Sequence, residues 1–76
     1  MTKVEKAIPD YLNRMYLEFE ELCSRITKLD AYFTLHFGEM QETEMYLMKK
    51  QRKAMSEYRN VLQKRIVYCN RKEGIM

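Results

Sequence analysis

Seven residues of this 76-residue chain offer chemistry that a packed helix does not require: Tyr11, Asn13, Arg14, Thr27, Lys28, Gln51 and Arg65. A guanidinium is a planar fork that grips phosphate through two parallel N–H bonds, and a phenol ring is a face on which a nucleobase can stack. The spacing of two of these residues is what draws notice. Counting back from Cys69 in fours and threes gives Arg65, Leu62, Tyr58, Met55, Gln51 and Met48, an apolar heptad register with two polar intruders. Each intruder has an ordinary explanation: Gln51 as an amide layer that fixes register, Arg65 as an edge residue whose charged head reaches water. The alternative is that an anion sits in front of them.

Those side chains need elements to hold them. Leu12, Met15, Phe19, Leu22, Ile26, Leu29 and Phe33 alternate spacings of three and four over three heptads, the strongest periodicity in the chain. Pro9 and Asp10 suit a first turn, because proline lacks a donor that would go unused there and a carboxylate complements the helix dipole. The spacing predicts a helix over 9–34, a turn over 35–40 stopped by Gly38 and rich in glutamate, and a second helix over 41–71. Residues 72–76 form a tail. Thr2 and Glu5 carry a capping-box pattern that predicts an arm or short helix over 1–8. The expected fold is therefore all-α: a short N-terminal helix, then a long antiparallel helical hairpin in a single domain.

The second helix carries more apolar surface than one seam needs. Leu47, Ala54, Val61 and Tyr68 form a row beside Met48, Met55, Leu62 and Cys69, with Tyr58 expected in the core. Two helices cannot bury three apolar rows between themselves, and a chain this small seldom builds a sufficient core alone. A symmetric homo-oligomer follows, a dimer or a multiple of dimers.

Within an antiparallel hairpin turning near Gly38, Gln51 faces roughly Thr27 and Lys28, and Arg65 faces about Asn13, with Tyr11, Leu12 and Arg14 around it. Each group gathers cations and polar side chains at one level of the bundle. An interface residue occurs twice about a two-fold axis, so either group could become a two-fold anion pocket.

Other chemistry finds little support. Catalysis needs a base, a nucleophile or a metal in mutual reach, and the single histidine, His36, falls in the expected turn, so no enzyme and no cofactor are expected. Cys23 would lie beside roughly residue 55, leaving Cys69 on the order of 20 Å away, beyond disulfide reach; both read as buried thiols, without the spacing of a zinc site. A formal charge of +3 is too mild for bulk attraction to nucleic acid. The basic run "KKQRK", Lys49–Lys53, is a solvated helix face or a DNA contact, the latter not expected. No stretch has signal-peptide or membrane-span character, which predicts an intracellular protein.

"YLNRMYLEFEELCSRITKLDAYF", a glutamate-rich turn, and "LMKKQRKAMSEYRNVLQKRI" together resemble the small phage hairpin proteins of the anti-CBASS sponge family, over roughly Tyr11 to Ile66. A related hairpin occurs in phage anti-Thoeris sponges. The resemblance implies an all-helical protein that assembles as dimers, and in some members as hexamers built from three dimers. It implies sequestration, without cleavage, of cyclic oligonucleotide messengers in the cytoplasm of an infected bacterium: cyclic dinucleotides at dimer interfaces, and in some members cyclic trinucleotides at three-fold sites. It assigns base stacking to Tyr11, with Asn13 or Arg14 as alternative equivalents, phosphate binding to Lys28 beside Thr27, and trinucleotide binding to Arg65. The rival reading is a structural or regulatory coiled coil whose adaptable, methionine-rich face binds a partner protein's helix.

Overall fold

The computed structural model describes residues 8–74. Within them lie two long helices, α1 over Asp10–His36 and α2 over Glu42–Glu73, joined by a short 3-10 turn at Phe37–Glu39. The helical arm expected over 1–8 falls almost wholly outside the described residues.

α1 begins where proline permits. Pro9 is the cap residue, with ψ of 148°, and its carbonyl accepts the amides of Leu12 and Asn13, both at 3.1 Å. Asp10 then places a carboxylate against the positive end of the dipole. Every heptad position from Leu12 to Phe33 is buried or half-buried, and one further step of three reaches His36, also half-buried. The helix thus runs two residues beyond the expected end at 34, and His36 belongs to its last turn, with Nδ1 3.1 Å from a Glu39 carboxylate oxygen.

The break comes from extended backbone, not from a left-handed glycine. Gly38 sits inside the 3-10 turn, whereas Met40 and Gln41 have ψ of 141° and 155°, which no helix accommodates. The left-handed residue is Gly74, at φ 73°, and its amide closes α2 on the carbonyls of Arg71 and Asn70. Arg71 and Lys72 in that last turn complement the dipole, so α2 ends at Glu73, two residues beyond the expected 71.

Three cross-helix pairs fall in reverse order along the two helices and fix them antiparallel. Tyr11 reaches Glu73 at 2.6 Å, Tyr16 accepts from Asn70 at 2.7 Å, and Asp30 takes two bonds from Arg52 at 2.9 and 3.1 Å. The hydrophobic cluster of Leu12, Met15, Leu62 and Ile66, flanked by Tyr16, Phe19 and Cys69, lies towards the end of the hairpin that the first two pairs close. Leu12 and Leu62 are fully buried. Towards the turn the seam loosens, and Leu29, Phe33, Met45 and Met48 are only half-buried.

The seam of α2 differs from the expected register. A run of buried or half-buried positions passes through Met45, Met48, Arg52, Met55, Arg59, Leu62, Ile66, Cys69 and Glu73, again in threes and fours, with Ser56, Val67 and Asn70 enclosed beside it. Met48, Met55, Leu62 and Cys69 belong to both registers. Between them, Arg52, Arg59 and Ile66 replace Gln51, Tyr58 and Arg65 as the inward residues. Tyr58 is accordingly 44% exposed and not a core residue. The physical reason lies in the two arginines: a long aliphatic stem packs along the seam while the head leaves it, Arg52 to Asp30 and Arg59 to the Ser56 hydroxyl at 3.3 Å. Both cysteines are free thiols and half-buried, less enclosed than expected.

The molecule is a rod of 57 × 20 × 16 Å with a radius of gyration of 17.4 Å, against about 11 Å for a compact chain of this length. Its accessible surface is 5985 Å², whereas a compact 9.3 kDa monomer exposes about 5000 Å². The surplus is on the order of the roughly 800 Å² that each partner contributes to a standard interface.

Candidate functional site

The displaced seam decides where the candidate residues face. With 3.6 residues per turn, positions 18 apart share an azimuth after five turns. Leu47 and Arg65 are such a pair, and the residues between them at heptad spacing, Gln51, Ala54, Tyr58 and Val61, complete a second row that continues to Tyr68. Leu47, Val61 and Tyr68 are 57%, 56% and 67% exposed, and Gln51, Ala54 and Arg65 are exposed with them. This row contains both polar residues expected as intruders in the seam. They are not misfits in a buried register. They are polar members of an open one.

α1 contributes a matching row. Arg14 and Tyr32 are also 18 residues apart, and Glu18, Glu21, Arg25 and Lys28 lie between them at the same alternating spacing, all exposed. That the two rows border one face is shown by the groove of about 390 Å³ lined by Arg25, Lys28 and Tyr32 from α1 and Gln51 from α2. Its floor is Leu29, Met48 and Met55 from the seam. Two cations, a phenol, an amide and an apolar floor can accept an anionic group with a flat apolar part, as a nucleotide has.

Of the expected site residues, Lys28 meets Gln51 in this groove, and Arg14 and Arg65 share its face at the other end of the rod. Thr27 and Asn13 are exposed on parts of α1 turned away from that face and take no part in the groove. The expected cluster of Arg65 with Tyr11 and Asn13 does not form: among the described residues no hydrogen bond or ion pair joins them. Tyr11 donates to the Glu73 carboxylate instead. That bond, then partial loss of water and the adjacent negative charge, pushes its hydroxyl up to about 12. The residue remains 36% exposed.

Arg25 and Tyr32 are groove residues that the motif reading missed. Their signal was available in the spacing, since Arg25, Lys28 and Tyr32 stand at i, i+3 and i+7 on one helix stripe. On the opposite side of the seam a smaller recess involves Asp30, Phe33, Lys49 and Arg52, but its charges are already engaged. Arg52 holds the Asp30 carboxyl below the usual carboxylate range, chiefly through the paired hydrogen bonds and also through its charge. Lys49 lies 5.8 Å from the Phe33 ring centroid and Lys50 5.4 Å from that of Tyr46, so part of the basic run rests on aromatic faces.

No described helix is long and apolar enough to cross a membrane. A family model described as Sequestin matches residues 9–68, which takes in α1, all but the last five residues of α2, and the face just described. No curated protein matches the chain, and no solved structure matches it.

Proposed function

The chain belongs to the Sequestin family, and on that premise we propose that it binds cyclic oligonucleotide second messengers and sequesters them without cleavage. The family's name fits a protein that acts by holding a small ligand. The observation that carries the reading is the composition of the open face. Arg14, Arg25, Lys28 and Arg65 outnumber its two carboxylates, Glu18 and Glu21, and tyrosines and Gln51 stand among them above apolar side chains. Guanidinium and ammonium groups neutralise the phosphates, and Tyr32 or Tyr58 offers a ring to a base. Such a face holds an anion by charge and stacking and needs no bond-breaking group.

In this reading the protein is a phage anti-defence sponge of the anti-CBASS kind, working in the cytoplasm of the infected bacterium. It is a homo-oligomer whose open faces meet, as a dimer or as three dimers. Cyclic dinucleotides are the primary ligands and cyclic trinucleotides the second class. The exposed row of Leu47, Val61 and Tyr68 also fits a different reading, an adaptor for a partner protein's helix.

One experiment separates these. The purified protein is incubated with a panel of cyclic di- and trinucleotides, and with cyclic ADP-ribose isomers as a further class. Free ligand is measured by chromatography before and after heating. The reading predicts depletion of a cyclic oligonucleotide, its intact return on heating, and at least tenfold weaker binding by Arg65→Ala, whose side chain is exposed and outside the seam. New degradation products would make the protein an enzyme. Depletion of the ADP-ribose isomers alone would move it to another signal class, and no depletion of any ligand would favour the adaptor.

A further inference from the structure

We infer that His36 is a positioning residue for the groove: its imidazole backs the ring of Tyr32 and, held by Glu39, fixes that ring as a platform for a flat ligand group. The inference deepens the nucleotide-binding reading above and rests on it for the identity of the ligand.

Tyr32 is a side chain that needs such support. It lines the groove with Arg25, Lys28 and Gln51, yet it is 45% exposed, and among the described residues its hydroxyl makes no hydrogen bond. A half-exposed tyrosine on a helix has more than one staggered rotamer open to it, and a ligand that requires one of them bears the cost of selecting it.

The ring contact removes that freedom. His36, one turn further along α1, brings its ring centroid to 4.3 Å from that of Tyr32, with the planes 36° apart. Helical side chains lean towards the N-terminus, so His36 lies over the turn of Tyr32 as Tyr32 lies over that of Lys28. His36 therefore takes the side of the phenol nearer the interhelix turn and leaves the side nearer Lys28 open. A base stacked there completes a row of three flat groups, with the Lys28 ammonium one helical turn away for a phosphate.

His36 is itself held. Its Nδ1 donates to the Glu39 carboxylate at 3.1 Å, and Glu39 belongs to the 3-10 turn. That turn is fastened a second time by Phe37, whose ring centroid is 5.5 Å from that of Phe33, while Lys49 of α2 reaches the Phe33 ring from the other helix. The contacts thus run from α2 through the turn to the groove and give the chain's single histidine a task. Among the described residues no other tyrosine has an aromatic ring packed on it; Tyr46, 59% exposed near the same end, has only the Lys50 ammonium. The ring that is backed is the one that lines the groove.

Order in that ring can be read without any ligand, by carbon-13 relaxation of the tyrosine side chains, with the Tyr32 signal identified by its loss in Tyr32→Phe. The ring should be ordered in the wild type and in His36→Phe, which keeps a flat partner, and mobile in His36→Leu, which keeps bulk but no ring. A Tyr32 ring that is mobile in the wild type, or equally ordered in His36→Leu, overturns the inference. Calorimetry with cyclic di-AMP and cyclic di-GMP then reads the consequence. His36→Leu should bind about three- to tenfold more weakly and His36→Phe within about twofold of the wild type, and the loss should vanish in a Tyr32→Ala background. A loss that persists in that background, or wild-type affinity in His36→Leu, overturns positioning through Tyr32. If neither nucleotide binds, the nucleotide-binding reading falls for these ligands, while the order of the Tyr32 ring still decides this inference.

Discussion

The two heptad rows of α2 have the same spacing and opposite fates. In the inner row Leu62 is fully buried and Ile66 is 7% exposed, because α1 covers them. In the outer row Val61, next to Leu62 in sequence, is 56% exposed, and Tyr68 is 67% exposed. A repeat of threes and fours marks a row to be packed against a helix. It does not say whether that helix belongs to the same chain.

The largest effect that tests this contrast is truncation of the inner row. Leu62→Ala removes a side chain from the cluster with Leu12, Met15 and Ile66, and should cost about 2–5 kcal/mol of stability, read from the denaturant midpoint. A change below 1 kcal/mol would mean that the two rows do not differ as described. The neighbouring Val61→Glu should act on assembly alone. Helicity at low concentration is expected to persist, while self-association weakens about tenfold or more, since a carboxylate would be desolvated between two copies.

The difference between these rows was only partly legible. The seam of α1 is legible along its whole length, because its apolar residues form a single narrow stripe and only one register fits them. α2 offered two stripes sharing Met48, Met55, Leu62 and Cys69, and Tyr58 is more apolar than Arg59, so periodicity favoured the wrong alternate positions. What decides is the arginine stem: Arg52 and Arg59 can line a seam because Asp30 and Ser56 receive their heads, and no spacing rule contains that information. The same slip placed Arg65 in the seam, whereas its grouping with Tyr11 and Asn13 followed from centring the hairpin near Gly38; the pairs Tyr11–Glu73, Tyr16–Asn70 and Asp30–Arg52 put Arg65 level with about residue 20 instead. The pairing of Lys28 with Gln51 was legible, since it depended on the turn position alone. Gly74 was legible in principle as a C-terminal stop after Arg71 and Lys72, and it sets the true end of α2.

A smaller effect sharpens the comparison at the open end of the seam. Asn70 is 5% exposed and donates to the Tyr16 hydroxyl and to the Ile66 carbonyl. Tyr16→Phe leaves that amide short of one acceptor and should cost about 0.5–1.5 kcal/mol, measured in the same unfolding experiment. An unchanged midpoint would show that water replaces the phenol and that this end is less closed than the packing implies.

The smallest effect is visible in titration more readily than in stability. Tyr11 ionises near 10 when unfolded and is pushed up to about 12 in the folded chain by Glu73. Its raised value means that the contribution of this contact is complete below about pH 10 and is lost as pH climbs through 12. Ultraviolet titration should show one of the six tyrosines ionising last, and Glu73→Gln should return it to the others. A wild-type curve without a late component would remove the contact from the account.

The central claim is that the inner row is closed by the chain itself and the outer row by a second copy. Sedimentation equilibrium of the intact protein over a range of concentrations tests it most directly. The account predicts a species of two chains, or a whole multiple of two, that dissociates on dilution. A single 9.3 kDa chain at every concentration would contradict it.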